Sequence, residues 1–94
     1  MRDMKFSGRE ACILRSIDMA TGTIGADILL RTRMEAQEAL DILNGMLDMG
    51  FIETSPDQQT HVQRWALNTT MFEVNPAFVH DLKHALIHKS GGRS

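Results

Sequence analysis

One stretch, residues 35–52, constrains the fold of this chain more than any other part of the sequence. Apolar residues recur there at the three- and four-residue spacing of one buried helix face. These residues are Ala36, Leu40, Leu43, Met46 and Leu47. Gly50 follows where a helix C-cap favours a positive φ, and Phe51 and Ile52 continue as an apolar strand. The pattern predicts a helix over about residues 35–49 that ends at a glycine and leads directly into a strand.

Two helices are predicted ahead of this stretch, over about residues 8–20 and 25–32. Ser7 followed three residues later by Glu10 is typical of a capping box, which satisfies backbone N–H groups at a helix start. A very short strand at residues 23–24 is expected between the two helices.

A β-hairpin is predicted after the glycine, with strands over about residues 51–54 and 60–68. The residues between the two strands have turn chemistry, including a proline. In the second strand Trp65 and Leu67 share one face, and we expect that face to pack on the core.

A further helix over about residues 76–89 is predicted at the C-terminal end. Asn75 suits its N-cap and Pro76 its first helical position. Its histidines recur at four-residue intervals, at His80, His84 and His88. Successive histidines could share a metal ion, and histidine also titrates near neutral pH. A solvated face is nevertheless the expected role of this stripe, because no further ligand is obvious.

The composition is that of one globular domain. The 94 residues suit a single domain over about residues 7–89, with flexible ends expected at residues 1–6 and 90–94. Net charge is −2, so any basic surface for nucleic acid must be local. Cys12 is the only cysteine, which agrees with a cytosolic, reducing location. No apolar run approaches the roughly 20 residues that span a bilayer, so no membrane contact is expected.

Enzyme chemistry finds no support in the sequence. The carboxylates occur as helix surface charges, and Cys12 has no histidine near it in sequence. A phosphate-binding glycine loop is also missing. We therefore expect neither catalytic activity nor a cofactor.

The order of the predicted elements resembles that of a winged helix-turn-helix domain. Residues 32–52 resemble this superfamily in residue type, with Thr32 and Met34 before the helix and a glycine with two apolar residues after it. Residues 65–69 resemble the aromatic-x-Leu-Thr end of its second wing strand. MarR-like and ArsR-like regulators share these features. The resemblance implies an α+β fold with a three-helix core, a two- or three-stranded wing and an additional C-terminal helix.

DNA binding by a transcriptional regulator is the function that this resemblance implies. The third helix would enter the major groove, the wing would touch the backbone or minor groove, and a dimer would read two half-sites. Carried over position by position, the candidate DNA-binding residues on the third helix are Gln37, Asp41 and Asn44, of which Gln37 and Asn44 are the natural base readers. The candidate phosphate contacts are Arg31 and Arg33 before this helix and His61, Gln63 and Arg64 around the wing.

The outward face of the third helix departs from the superfamily pattern because it is acidic. It carries Glu38, Asp41 and Asp48, with Glu35 at its start. Carboxylates can accept hydrogen bonds from cytosine, but several together repel the phosphate backbone. A winged-helix interaction module that binds a protein partner is therefore the alternative function.

A homodimer is expected because apolar residues occur on more than one side of the fourth helix. This helix has the place of the dimerisation helix that many small members of the superfamily carry. The candidate interface residues are Phe78, Leu82, Leu86 and Ile87.

Overall fold

The structure is a computed structural model that describes Phe6, residues 8–81 and residues 83–84. Its elements in chain order are α1 (Gly8–Ser16), β1 (Thr23–Ile24), α2 (Gly25–Thr32), α3 (Ala36–Met49), β2 (Ile52–Ser55), the 3-10 helix η1 (Arg64–Thr69), β3 (Met71–Val74) and the 3-10 helix η2 (Pro76–Phe78). The fold is α+β, and its three strands form one antiparallel sheet. Among the helices in the described part of the chain, none has the length and apolar character needed to cross a membrane.

The first helix is shorter than predicted because Asp18 starts a turn. Its Oδ1 accepts hydrogen bonds from the backbone N–H groups of Ala20, at 2.8 Å, and Thr21, at 3.1 Å. An aspartate that bonds nearby backbone in this way competes with helix formation. The same two bonds lower the pKa of Asp18 below its ordinary value, and the charge of Arg31 adds to the effect. Ser7, which begins the predicted capping box, lies outside the described residues.

The second and third helices follow the prediction closely. α3 begins one residue later than expected because Glu35 is its N-cap, whose carboxylate accepts a hydrogen bond from the Glu38 N–H at 3.3 Å. Gly50 ends α3 with a φ of 81°. Between the helices Arg33 adopts a left-handed conformation with a φ of 57°, and its N–H bonds to the Leu29 carbonyl. This closes α2 and reverses the chain into α3.

The predicted leucine face of α3 is buried in the core. Leu40, Leu43 and Leu47 are 4%, 0% and 7% exposed. The same hydrophobic core contains buried residues from the rest of the chain. These include Phe6, Ile13, Leu14, Ile28, Ile52, Val62, Leu67 and Phe72. Burying one such leucine contributes about 1.5–3 kcal/mol, so this face is the main reason that α3 holds its place.

The strand that pairs with β2 is β3, and the prediction of a strand over residues 60–68 is wrong. The register places Ile52 opposite Val74 and Ser55 opposite Met71. β3 also pairs with β1, so the strand order is β1-β3-β2. The short strand at β1 is confirmed, and so is the first strand of the hairpin to within one residue.

Residues 56–70, which we call the η1 loop, connect β2 to β3. Val62 and Leu67 in this loop are both 0% exposed. Residues five positions apart face opposite sides of a strand, so a straight strand with only one face on the core could not bury both. The 3-10 turn of η1 allows both to point inward. As a consequence Trp65, which was predicted for the core, is 85% exposed.

The N-cap predicted for the C-terminal helix is confirmed. Asn75 Oδ1 accepts a hydrogen bond from the Ala77 N–H at 3.0 Å, and its Nδ2 donates to the Gly50 carbonyl at 2.9 Å. The Phe78 ring meets the Phe51 ring edge-on at a centroid distance of 5.5 Å. The first turn is 3-10 in geometry, and residues 79–81 and 83–84 are α-helical. The residues of this predicted helix that lie outside the described part are Leu82 and residues 85–89.

Candidate nucleic-acid interface

Two of the predicted phosphate contacts lie where α2 leads into α3, and the structure gives them different surroundings. Arg31 is in the last turn of α2, and Arg33 is its C-cap. Arg31 Nη1 donates to the Ser16 carbonyl at 2.8 Å and lies 3.5 Å from the Thr23 hydroxyl. Part of its donor capacity therefore holds the C-terminal end of α1. Arg33 is exposed at the left-handed position of the turn. Of the two, Arg33 is the better placed for an external anion.

The outward face of α3 presents polar side chains that interact with one another. Gln37 Nε2 donates to Asp41 Oδ1 at 2.9 Å, and both residues are exposed. Glu38 forms an ion pair with Arg9 of α1. Asp48 is exposed near the end of α3. The predicted base reader Gln37 thus already has a partner on its own helix.

Asn44, the other predicted base reader on α3, is bonded at both ends of its amide. Its Nδ2 donates to the Val62 carbonyl at 3.1 Å, and its Oδ1 accepts from the Val62 N–H at 2.8 Å. The side chain is half-buried and Val62 is fully buried. Asn44 therefore anchors the η1 loop to α3, and the N–H and the oxygen lone pair that make these two bonds are not available to a base.

The charged side chains of residues 34–63, which include α3, are all acidic. No lysine or arginine occurs between Arg33 and Arg64. The carboxylates in that interval are Glu35, Glu38, Asp41, Asp48, Glu53 and Asp57. Binding to DNA is driven by neutralisation of phosphates and release of their counterions. α3 cannot supply that neutralisation from its own side chains.

The η1 loop has a different surface. His61, Gln63 and Arg64, predicted as wing contacts, are exposed, and Trp65 stands beside them. No carboxylate side chain occurs in residues 58–72. Asp57, at the start of the loop, is its one carboxylate. From residue 58 to residue 70 the remaining exposed side chains are amides and hydroxyls, which donate and accept hydrogen bonds without repelling phosphate.

Three anchors hold the η1 loop against the rest of the fold. Thr54 Oγ1 in β2 donates to the Asp57 carbonyl and accepts from the Gln59 N–H at 2.8 Å. Asn44 fixes the middle of the loop through the Val62 backbone. Leu67 is buried against Gly25, at the start of α2. The loop therefore presents His61, Gln63, Arg64 and Trp65 from a fixed position.

Trp65 is a candidate contact that the sequence-based reasoning missed. Its aromatic character and its spacing from Leu67 favoured a core strand, whereas the structure exposes it. The signal available in the sequence was the polar, carboxylate-free run around it. A run of that kind is a poor match to a buried strand, because it offers too few apolar residues for the core face.

The histidine stripe falls partly within the structure. His80 and His84 are exposed, and His88 lies outside the described residues. In the part of the chain that the structure describes, no three histidine, cysteine, aspartate or glutamate side chains are grouped to hold a metal ion. The alternative role of this stripe, a metal site, gains no support from the described residues.

Comparisons with known proteins assign no family to the chain. Searches against models of protein families, curated proteins and solved structures found no significant match. The function therefore has to be inferred from the geometry and charges of the fold.

Proposed function

We propose that this chain is a winged helix-turn-helix protein that binds double-stranded DNA as a transcriptional regulator. The order of elements supports the fold assignment, because the short strand between the first two helices joins the hairpin in the order β1-β3-β2. In this assignment α2 and α3 form the helix-turn-helix and the η1 loop is the wing. Additional support is that the turn before α3 and the wing both present exposed cations.

The proposal places the main DNA contact on the η1 loop and Arg33, with α3 outside the major groove. The charge distribution carries this proposal. Arg33 and Arg64 are exposed cations at the two ends of a segment whose own charged residues are all acidic. A phosphate near either arginine is attracted, whereas a phosphate near Asp41 or Asp48 is repelled. Sequence readout would then come from Gln63 and other neutral donors of the loop.

The salt dependence of binding tests this arrangement. We expect a labelled mixed-sequence duplex to bind with an affinity that falls as salt rises from about 50 to 200 mM. Arg64→Ala and Arg33→Ala should each make the slope of log K against log salt shallower, by about 0.9 for every phosphate that the variant no longer neutralises. Fluorescence anisotropy of the labelled duplex measures both the affinity and the slope.

Two further variants separate the site from a general effect of charge. Lys83→Ala removes the same charge from an exposed position outside the site, and should leave the slope nearly unchanged. Asp41→Asn removes a negative charge from α3 and should not strengthen binding if α3 stays outside the groove. Tighter binding by Asp41→Asn would contradict that placement. Absence of duplex binding at about 50 mM salt would contradict the proposed function as a whole.

A protein partner is the second candidate function, and the outward face of α3 favours it. This face combines Asp41 and Asp48 with Met49, which is 62% exposed. Exposed apolar surface beside carboxylates suits a partner that presents basic and apolar side chains together. If the duplex experiment fails, this face is the surface to test next, by Asp41→Lys and Asp48→Lys in a partner-binding assay.

The proposed regulator acts as a homodimer through the C-terminal helix. Phe78 is half-buried against Phe51, and the other predicted interface residues lie outside the described part of the chain. Sedimentation at micromolar concentration should give a species of twice the 10.6 kDa chain mass. A species of single-chain mass at every concentration tested would contradict the dimer.

A further inference from the structure

We propose that Trp65 is a stacking platform for an unpaired base, so that the η1 loop binds single-stranded nucleotides in preference to an intact duplex. The inference rests on the proposed function for its nucleic-acid partner. Contacts of Arg33 and Arg64 with phosphates are open to duplex and single strand alike, and an unpaired strand adds a stacking contact with Trp65 that an intact duplex does not offer. It starts from the exposure of Trp65, which is 85%.

Trp65 differs from the other large apolar side chains of the η1 loop because its indole ring is exposed. The other large apolar residues of the loop, Val62 and Leu67, are both fully buried. A buried tryptophan removes roughly 150–250 Å² from water, so leaving the ring outside forgoes a considerable hydrophobic gain. A flat π-face held in solvent is suited to stacking against another flat π-system.

The surroundings of Trp65 favour a nucleic acid as the source of that π-system. Arg64 is adjacent and exposed, and can attract a phosphate while its neighbour stacks on the base. His61 and Gln63 are also exposed and offer hydrogen-bonding groups for a base edge. All twelve acidic residues of the chain lie outside residues 58–72, so this segment itself does not repel phosphate.

The platform is held in place before any ligand binds. The Ala66 N–H donates to the Gln63 carbonyl at 3.0 Å, and the Thr70 N–H donates to the Ala66 carbonyl at 3.1 Å. The Thr70 hydroxyl donates to the same carbonyl at 2.7 Å. Little backbone freedom is lost when a base stacks on a ring whose backbone is already fixed in this way.

Stacking also sets the preference for unpaired strands. In a duplex both faces of each base are covered by neighbouring bases, so a side chain must first unstack a step. In a single strand the faces are accessible, and base–aromatic stacking tolerates any base. The ring of Trp65 projects from a surface loop and needs only such an accessible face.

The chain carries its own reporter for this contact. It contains one tryptophan and no tyrosine, so its indole emission comes from residue 65 alone. We expect a thymidine oligonucleotide of about 12 nucleotides to quench this emission with saturation, a length within the roughly 4–16 nucleotides that one single-strand-binding OB fold covers. Quenching should occur without a shift to shorter wavelength, because the ring moves onto a base and not into an apolar core. A duplex of the same length should quench less and bind more weakly.

Substitutions turn the spectral change into an affinity. Trp65→Ala should weaken single-strand binding by about tenfold or more, whereas Trp65→Phe should retain most of it. Leu30→Ala is the matched control, because Leu30 is a 75% exposed apolar residue on α2 outside the loop. That variant should bind like the parent. Circular dichroism of all three variants checks that each remains folded.

Four alternative results would each contradict the inference, and each points to a different cause. Duplex binding by anisotropy with unchanged Trp65 emission overturns the stacking contact and leaves the proposed function intact. Equal quenching by duplex and single strand overturns the preference for unpaired bases. A blue shift that grows with protein concentration overturns it by placing Trp65 in an interface between copies. Absence of binding to either nucleic acid overturns both this inference and the proposed function.

Discussion

We expect Gly25→Ala to lower the free energy of unfolding by about 3 kcal/mol, the upper end of the usual range for overpacking a core. A Cβ on Gly25 would overlap the Leu67 carbonyl oxygen and lie 2.7 Å from its carbonyl carbon. Both atoms are backbone, so no change of rotamer relieves the contact. The Gly25 N–H also donates to the Thr70 carbonyl at 3.0 Å, which holds the two segments together.

Gly45→Ala provides the matched control, because the same methyl group is added where space is open. Gly45 is exposed within α3, and nothing lies within 4 Å of its added Cβ. Alanine in place of glycine in a helix interior should stabilise the protein by about 0.5–1 kcal/mol. Urea denaturation measures both changes as shifts of the midpoint. Equal effects of the two substitutions would show that Gly25 and Leu67 are not in contact.

The sequence was sufficient where one local signal decides the backbone. Gly50 combines a helix-ending position with a left-handed conformation, and the structure has both. The leucine spacing of α3 placed its buried face correctly, because a helix repeats every 3.6 residues and each leucine confirms the others. Asn75 before Pro76 located the next N-cap for the same reason.

The conformation of the η1 loop could not be predicted from local sequence signals, because it depends on contacts with residues that are distant in sequence. The Val62 backbone is bonded to Asn44, which lies 18 positions earlier, and buried Leu67 packs against Gly25. Locally, Trp65 and Leu67 read as alternate residues of a strand. Only the core formed by α2 and α3 determines that Leu67 turns inward and Trp65 outward. The candidate site was consequently predicted in part, with Arg64 included and Trp65 omitted.

The same loop explains why Asn44, one of the two predicted base readers, has a structural role. From sequence alone, a polar residue on the outward face of a helix is interpreted as a ligand contact, because its hydrogen-bond partners within the protein are not visible. Asn44 has such a partner in the Val62 backbone, and a buried backbone segment must have its N–H and C=O groups satisfied. The amide of Asn44 supplies a hydrogen-bond partner for each of these two groups of Val62. Asn44 lies on α3, the helix that was predicted to contact DNA. Its structural role is to fix the η1 loop, which we propose as the DNA contact.

We expect Asn44→Ala to lower the free energy of unfolding by about 2 kcal/mol. The substitution removes two hydrogen bonds worth about 0.5–1.5 kcal/mol each, and leaves the N–H and C=O of a buried residue without these partners. Gln37→Ala is the control on the same helix, because within the described residues the hydrogen bond of its amide is to exposed Asp41. That change should stay within about 0.5 kcal/mol. Urea denaturation compares the two variants with the parent.

Asn44→Asp distinguishes a hydrogen-bonded anchor from simple packing, because the change is nearly isosteric. A carboxylate can still accept from the Val62 N–H but repels the Val62 carbonyl, which it faces in place of the amide donor. Only the protonated acid can donate there, so the folded protein should raise the pKa of the new carboxyl above the ordinary value of about 3.9. The loss of stability relative to the parent should therefore be small below about pH 3.9, and should grow as pH rises through that higher pKa. A difference that stays constant between about pH 3 and pH 7, measured by urea denaturation at each pH, would mean that the amide does not bond the Val62 backbone.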